Sequence, residues 1–386
     1  MDSQRKTELL RLIVVAGCLF ATVFHYTLGS LPGYGGYPHN TFLFRPDDRF
    51  HDFLNISWAT SGLDPYSSAV SVYLPFTYLP IYILTFLDDK FALAIFSAVF
   101  VICLAYYVYR NVPCTGVRDR LLSIFTLVFM AYPVLFCLDR GNLEMLLFVF
   151  VALSISAYRK GDGLMSACWL SLATAMKIYP AVFCMLYLAD RKYRYALVTV
   201  VLAVLLTFAS GAALNGGITA SIEGFRNNLE LFKSMYLNDH ISLHFSTSLF
   251  NLFALGGDAF PLLRGITAGY RYLAVALIAA IAAYVMFFER FFWKRVSLLV
   301  FMILLVPAIS YDYKLILLFV PLMLFLREAE PSRFDGAYVA LFGLLLVPKH
   351  YYHLFADVSI SVLLTPLIIV TMAVLMVIDR RRRVTA

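Results

Sequence analysis

The chain has 386 residues, of which 61% are hydrophobic and only 14% are charged, and its formal net charge is +7 at pH 7. Soluble domains are roughly 45–50% apolar and about 25% charged, so this composition excludes a soluble fold. The positive charge does not indicate a nucleic-acid partner, because the basic residues cluster in short segments between long apolar runs. The sequence therefore predicts an all-α polytopic membrane protein that has the lipid bilayer as its partner.

The apolar runs and the basic clusters between them predict a topology. The first run, Leu9 to Leu28, has no A-x-A cleavage pattern, so we expect a retained anchor. Basic residues favour the cytoplasmic side of short loops, which predicts about ten full spans with both termini in the cytoplasm. The predicted spans are 9–29, 91–109, 121–138, 143–158, 196–214, 267–288, 296–309, 314–326, 335–347 and 358–378.

Two further apolar segments, 70–87 and 164–189, break this alternation, because a full crossing would place a basic cluster on the wrong side. Prolines interrupt both, and broken helices are tolerated at membrane depth only where they are buried or line a cavity. We expect both to be re-entrant or half-length pieces around a site. The alternative for 70–87 is an ordinary span paired with 91–109, which places Arg110 to Arg120 outside.

The extracytoplasmic side then holds two long loops, at about 30–69 and 215–265, and several short ones. Internal repeats and a soluble domain are not recognisable, so we expect one membrane domain over residues 1–386. The six cysteines show no C-x-x-C or histidine-rich spacing, which indicates neither disulfides nor a zinc site. We expect the chemistry of the protein in the outer loops.

The first outer loop carries two carboxylates, Asp48 and Asp52, whose spacing would place them on one face of a helix. A solvated loop with an N-capping aspartate explains this spacing without a function. A carboxylate just outside the bilayer can also act as a general base toward a hydroxyl group. The spacing alone leaves both interpretations open.

Charged residues also occur where apolar runs begin or are interrupted. Arg140 and Asn142 follow Asp139 between two apolar runs, where they either close a helical hairpin or contribute to a site at the outer interface. Lys177 lies inside a long run that is otherwise uncharged, where a cation costs about 2.5–3.5 kcal/mol even on the lenient insertion scale. Such a lysine snorkels to the interface or faces a partner, and a lipid phosphate is the partner that we favour.

The other outer segments contribute weaker candidates for substrate binding. His240 and His244 lie in the second outer loop, Tyr66 lies in the first, and Lys314 and Lys349 lie at the short ones. An amphipathic interfacial segment or an aromatic belt explains such residues whatever the function is.

A series of short motifs runs through the first half of the chain. They are Asp52-Phe53, Gly62-x-x-Pro65-Tyr66, Tyr73-x-Pro75, Tyr78-x-Pro80, Arg140-Gly141-Asn142 and Lys177-Ile178-Tyr179-Pro180. Together they resemble motifs of the GT-C superfamily, in particular glycosyltransferase family 87, also called the DUF2029 family. That family includes polyprenol-phosphate-mannose-dependent mannosyltransferases. The resemblance is best over residues 48–195.

The resemblance implies a GT-C-like fold and an inverting transferase whose base is an acidic residue of the first outer loop. Asp52 is the first candidate because an aromatic residue follows it, and Asp48 is the second because its distance from Gly62 matches the family spacing. The residues that would bind the donor phosphate are Lys177, Arg140, Tyr179 and Asn142.

The function implied by the resemblance is transfer of a hexose, with mannose as a first guess, from a polyprenyl-phosphate donor to an extracytoplasmic glycan or glycolipid. No cofactor is expected, and the departure from a D-x-D motif disfavours a divalent metal. The expected location is the bacterial inner membrane, with the site on the outer face. A polysaccharide polymerase or ligase and a lipid-linked-glycan transporter or flippase are the alternatives. The first would carry a large late periplasmic loop rich in Arg and His, and the second often shows inverted repeats.

Overall fold

The computed structural model of the protein describes residues 1–32, 49–68, 71–114, 116–238, 246–257, 259–349 and 358–379. Within these ranges the chain is helical and forms no β-strand, which confirms the all-α prediction.

The first half of the chain combines long helices with short, interrupted ones. Its helices are α1 (Ser3–Gly29), α2 (His51–Ser61), α3 (Pro65–Ser68), α4 (Tyr78–Leu84), α5 (Asp89–Asn111), α6 (Val117–Phe129), α7 (Tyr132–Arg140), α8 (Glu144–Arg159), α9 (Gly163–Met176) and α10 (Cys184–Ala189). Two 3₁₀ turns, Pro75–Thr77 and Tyr179–Phe183, lead into α4 and α10. Both turns have a proline in their first two positions, where the missing N–H group would have no helical partner.

The second half of the chain contains nine further α-helices within the described residues. They are α11 (Tyr193–Ala213), α12 (Gly217–Lys233), α13 (Leu249–Gly256), α14 (Pro261–Ala268), α15 (Tyr270–Ala283), α16 (Phe292–Leu305), α17 (Phe319–Leu326), α18 (Asp335–Leu346) and α19 (Ser361–Ile378). π-helical turns extend α12 and α15, and a 3₁₀ turn, Asp312–Leu318, leads into α17.

Five helices of the described residues are long and apolar enough to cross a membrane: Ser3–Thr27, Asp89–Asn111, Tyr193–Ala213, Tyr270–Phe288 and Ser361–Ile378. The pair α6 and α7, which is bent by 50°, would make a sixth. The bend occurs where Pro133 cannot donate a hydrogen bond to the carbonyl one turn earlier. Every predicted span coincides with a helix or a broken helix, whereas the count of ten and the cytoplasmic termini stay predictions.

The two segments predicted to be broken are broken. Segment 164–189 is divided into α9, a 3₁₀ turn and α10, and segment 70–87 contains a 3₁₀ turn and α4. They contact each other at the end of α9, where the Met176 carbonyl accepts hydrogen bonds from the backbone N–H of Leu74 at 3.2 Å and the Thr77 hydroxyl at 2.9 Å. These bonds satisfy a carbonyl that the helix end leaves without a helical donor. Whether either segment re-enters the membrane stays a prediction.

The chain divides into two compact units. The first, which we call unit 1, consists of Met1–Arg45, Ala105–Leu135 and Leu243–Ala386, and unit 2 consists of Pro46–Leu104 and Phe136–Ser242. The prediction of one domain over residues 1–386 stays a prediction.

Unit 1 is built around the apolar helices α16 and α17, whose side chains are almost all buried. Helix α1 packs along α18, and a side chain at Gly17 would overlap that of Val347. The described residues of this unit include two buried ion pairs, Lys6 with Asp335 at 3.4 Å and Lys294 with Asp379 at 3.0 Å.

Unit 2 has a core of α8, α9 and α11. The Ser154 hydroxyl on α8 donates to the Ser166 carbonyl on α9 at 2.9 Å, and both residues are buried. Small residues allow the close helix approach that membrane interfaces favour. This core fixes the start of α8 and the end of α9, which carry the residues of the candidate site.

Candidate active site

Helix α2 places Asp52 in its first turn. The helix begins after Phe50, whose φ of 58° is left-handed and whose backbone N–H donates to the Asp139 carbonyl at 2.7 Å. Phe53 is fully buried, and its ring packs on Phe96 with 5.2 Å between the ring centroids. These contacts fix the helix start, so Asp52 lies beside the Asp139–Asn142 turn.

Gly141 explains why the turn and the helix can approach so closely. Its φ is +60°, and a Cβ atom there would lie 2.7 Å from the Cβ of Phe53. Another residue at this position would strain the backbone and overlap Phe53. The Asp-Phe and Arg-Gly-Asn motifs therefore form one packed unit.

The Asp52 carboxylate is held on both oxygens. Arg140 Nη2 donates to Oδ1 at 2.6 Å, and Asn142 Nδ2 donates to Oδ2 at 2.6 Å. The Asn142 Oδ1 atom in turn accepts the backbone N–H of Glu144 at 2.9 Å, which fixes the orientation of the amide. The Asp52 side chain is 20% exposed, so the ion pair with Arg140 does not bury it completely.

Lys177 lies where α9 ends, in an extended backbone conformation. Its Nζ atom donates to Glu144 Oε1 at 2.7 Å and lies 4.6 Å from the ring centroid of Tyr73. The Tyr179 hydroxyl donates to the second carboxylate oxygen, Glu144 Oε2. The Lys177 side chain is therefore neither isolated nor snorkelled away. It is part of a buried polar cluster.

The carboxylate of Asp52 and the Lys177 cluster belong to one site in unit 2. Both Asp52 and Glu144 are close enough to interact electrostatically with Lys177 and Tyr73. The described residues of the site form two ion pairs, Arg140 with Asp52 and Lys177 with Glu144, and Asn142 hydrogen-bonds to a residue of each pair. An arrangement of this kind keeps buried charges paired and oriented.

Glu144 is the site residue that we did not predict from the sequence. It is fully buried at the start of α8 and joins Asn142, Lys177 and Tyr179. The available signal was an acidic residue at the edge of a predicted span, since intramembrane carboxylates are costly and normally have a partner.

Tyr66 contacts the backbone of the site residue Tyr73. Its buried hydroxyl donates to the Tyr73 carbonyl at 2.8 Å, and its own carbonyl accepts from Asn228 Nδ2 at 3.0 Å. A role of Tyr66 in substrate binding stays a prediction. Its hydrogen bond to the Tyr73 carbonyl helps to position Tyr73 next to Lys177.

The remaining predicted site residues lie elsewhere. Lys349 belongs to unit 1, is buried, and donates to the carbonyls of Leu344 and Val347 at 2.9 Å each. Burial lowers the pKa of Lys349 to about 8, although Asp312 acts in the opposite direction. Lys314 also lies in unit 1, where its Nζ atom is 3.5 Å from the Ile309 carbonyl. The other predicted site residues lie outside the described residues: Asp48, His240 and His244.

The sequence pattern that defines glycosyltransferase family 87 matches residues 72–321. This range includes Arg140, Asn142, Glu144 and Lys177, while Asp52 precedes it and is joined to the site by its contacts. Searches of curated proteins and of solved structures gave no match. Because the family match covers well over half of the chain, the protein belongs to glycosyltransferase family 87 and is a membrane glycosyltransferase.

Proposed function

We propose that the protein transfers a hexose, with mannose as the first guess, from a polyprenyl-phosphate donor to an extracytoplasmic glycan or glycolipid. The observation that carries this proposal is the partly exposed Asp52 side chain, whose carboxylate Arg140 and Asn142 orient near the Lys177 cluster. A base and a group of cations close together are what transfer from a lipid phosphate requires.

Asp52 is the proposed general base toward the acceptor hydroxyl. An ionised carboxylate offers about four lone-pair positions, and the hydrogen bonds from Arg140 and Asn142 occupy two of them. The acceptor oxygen attacks the anomeric carbon as its proton passes to Asp52, and the bond between that carbon and the phosphate oxygen breaks. The electron pair of that bond leaves with the polyprenyl phosphate, so a single displacement inverts the anomeric centre.

Lys177 is the proposed stabiliser of the leaving phosphate, with Tyr179 and Arg140 in support. Its side chain is 17% exposed, whereas that of Glu144 is fully buried, so Lys177 is the more accessible member of the pair to an incoming phosphate. Cations that lie where negative charge develops lower the barrier to departure. This mechanism assigns the stabilising charge to side chains, and the expectation that no metal or cofactor is required stays a prediction.

The outer face of a bacterial inner membrane is the location that fits this proposal. The basic clusters of the sequence favour that side for the first outer loop, and with it for Asp52. The donor lipid would reach the site from the bilayer, between the two broken segments.

The donor class is testable with purified full-length protein. We expect transfer of mannose from a polyprenyl-phosphate mannose without any nucleotide, because the residues of the site suit a phosphate that leaves on a lipid. Product formation is measured by mass spectrometry with a mixed glycolipid acceptor extract. Robust transfer from a nucleotide sugar, with the lipid donor inert, would refute the proposal.

A further inference from the structure

Glu144 is buried more deeply than any other charged group of the candidate site. Its exposed fraction is 0%, while the side chains of Lys177, Arg140 and Asp52 are 17%, 10% and 20% exposed. A carboxylate at such depth cannot meet a substrate before Lys177 does. It can act on a ligand through the two side chains that its oxygens contact, Lys177 and Tyr179.

Because of its position, the Glu144 carboxylate competes with any anion that binds the Lys177 ammonium. Its Oε1 atom accepts from the Lys177 ammonium at 2.7 Å, the distance of a charge-assisted hydrogen bond. The Tyr179 hydroxyl holds the other oxygen, and the backbone N–H of Glu144 is fixed by Asn142. The carboxylate is therefore held on both oxygens, and an anion from outside must share the ammonium with it.

A carboxylate that competes for the Lys177 ammonium can help the phosphate product to dissociate. Attraction between an ammonium and a phosphate is strong in a water-poor site, because the surroundings screen it weakly. The product of the proposed transfer is a lipid phosphate with a full terminal charge, and it would bind this ammonium at least as strongly as the donor does. An internal carboxylate weakens that attraction and favours release of the product.

We propose that Glu144 is an internal counter-ion of Lys177 that competes with the lipid phosphate and sets how readily the phosphate product leaves. The inference rests on the proposed function, since it takes the ligand of Lys177 to be a prenyl phosphate monoester. It predicts that removal of the Glu144 charge increases the affinity for the phosphate and slows turnover. A purely structural Glu144 predicts weaker binding, because Lys177 would lose its orientation.

The test uses full-length protein in detergent micelles and farnesyl phosphate as the probe, with calorimetric titration as the measurement. We expect Glu144→Gln to bind farnesyl phosphate about tenfold more tightly, because a neutral amide competes for the ammonium less than a carboxylate does. The kcat of mannose transfer should fall in the same variant. Farnesol, which lacks the phosphate, should bind equally to both proteins.

Three further variants make the outcome decisive. Glu223→Gln removes the same charge from an exposed position on α12 and should leave the affinity unchanged. Lys177→Ala should weaken binding. Glu144→Asp keeps the charge but shortens the side chain, so it should tighten binding by less than Glu144→Gln does, and it carries the test if Glu144→Gln does not fold.

Two results would overturn the inference and they are distinguishable. If Lys177→Ala weakens binding while neither Glu144 variant tightens it, Glu144 is a structural partner and the proposed role of Lys177 survives. If Lys177→Ala leaves the affinity unchanged, the lysine does not bind the phosphate, and the Glu144 inference fails together with that part of the proposed function.

Discussion

At the scale of residues, the site is a chain of paired charges. Arg140 contacts Asp52, although the sequence suggested the donor phosphate as its partner. Glu144 is the partner of Lys177, for which the sequence also suggested a phosphate. Arg140 and Lys177 could be singled out from the sequence, because ionisable groups beside apolar runs are costly, whereas Glu144 was missed. Their pairing was not predictable, because Lys177 follows α9 while Glu144 begins α8, and the two meet only when α8 packs on α9.

Lys177 is the first residue to test at this scale. We expect Lys177→Ala to lower kcat/KM for the polyprenyl-phosphate donor by about tenfold to a hundredfold, the size of a lost hydrogen bond to a charged group. Lys177→Arg should recover part of this loss, since it restores a cation. The measurement is the rate of transfer at several donor concentrations.

The stability of the variant needs its own control. Lys177→Ala leaves the buried Glu144 carboxylate without its cation, which can cost about 3–5 kcal/mol. The double variant Lys177→Ala/Glu144→Gln removes both charges and should melt closer to the wild type. Unchanged donor kinetics in a folded Lys177→Ala protein would show that the lysine takes no part in donor binding.

At the scale of elements, the site depends on helix breaks and on the close contact between Gly141 and Phe53. The prolines of segments 70–87 and 164–189 allowed the breaks to be predicted, because a proline interrupts helical hydrogen bonding wherever it occurs. The contact of these segments through the Met176 carbonyl was not predictable, since it depends on how α9 lies against α4 and its 3₁₀ turn. The glycine of the Arg-Gly-Asn motif marks the tight approach.

Gly141→Ala tests that approach. The left-handed backbone should cost about 1–2 kcal/mol, and the overlap with Phe53 should add about 1–3 kcal/mol of overpacking. Because Arg140 and Asn142 flank the glycine, transfer should fall more than stability alone explains. The melting temperature in detergent and the transfer rate are both measured.

Gly161→Ala is the matched control for this change. Gly161 also has a positive φ, of 84°, but nothing lies within 4 Å of a Cβ atom placed there. It should show the backbone cost alone and near-normal transfer. If the two variants behave alike, the contact between Gly141 and Phe53 does not position the site.

At the scale of the whole molecule, the sequence predicted where helices lie better than it predicted how many of them cross the membrane. Hydropathy marks an apolar stretch, but α8, α16 and α18 are shorter than the roughly 20 residues that a crossing needs. Their apolar character also suits burial within the protein, and α16 is almost entirely buried. Length and hydropathy alone therefore leave the count between five or six long apolar helices and the ten predicted spans.

Cysteine labelling tests the orientation. In a background without the native cysteines, a cysteine at Ser61 or Asn238 should react with an impermeant reagent added from outside, and one at Gly161 should not. The expectation follows from the basic clusters, which favour the cytoplasmic side for the turn at Gly161. Labelling at Gly161 from outside in intact cells would reverse the proposed orientation.

The central claim is that Asp52 accepts the proton of the acceptor hydroxyl, and Asp52→Asn tests it most directly. Asparagine keeps the shape of the side chain but cannot take a proton at neutral pH, and loss of a general base costs about 10²–10⁴ in rate. The measurement is single-turnover transfer by purified protein of unchanged melting temperature, with the exposed Asp88→Asn as control and Asp48→Asn alongside. We predict a loss of that size in Asp52→Asn and near wild-type transfer in Asp88→Asn. Nearly full turnover in Asp52→Asn would contradict the account, and its loss in Asp48→Asn instead would identify Asp48 as the base.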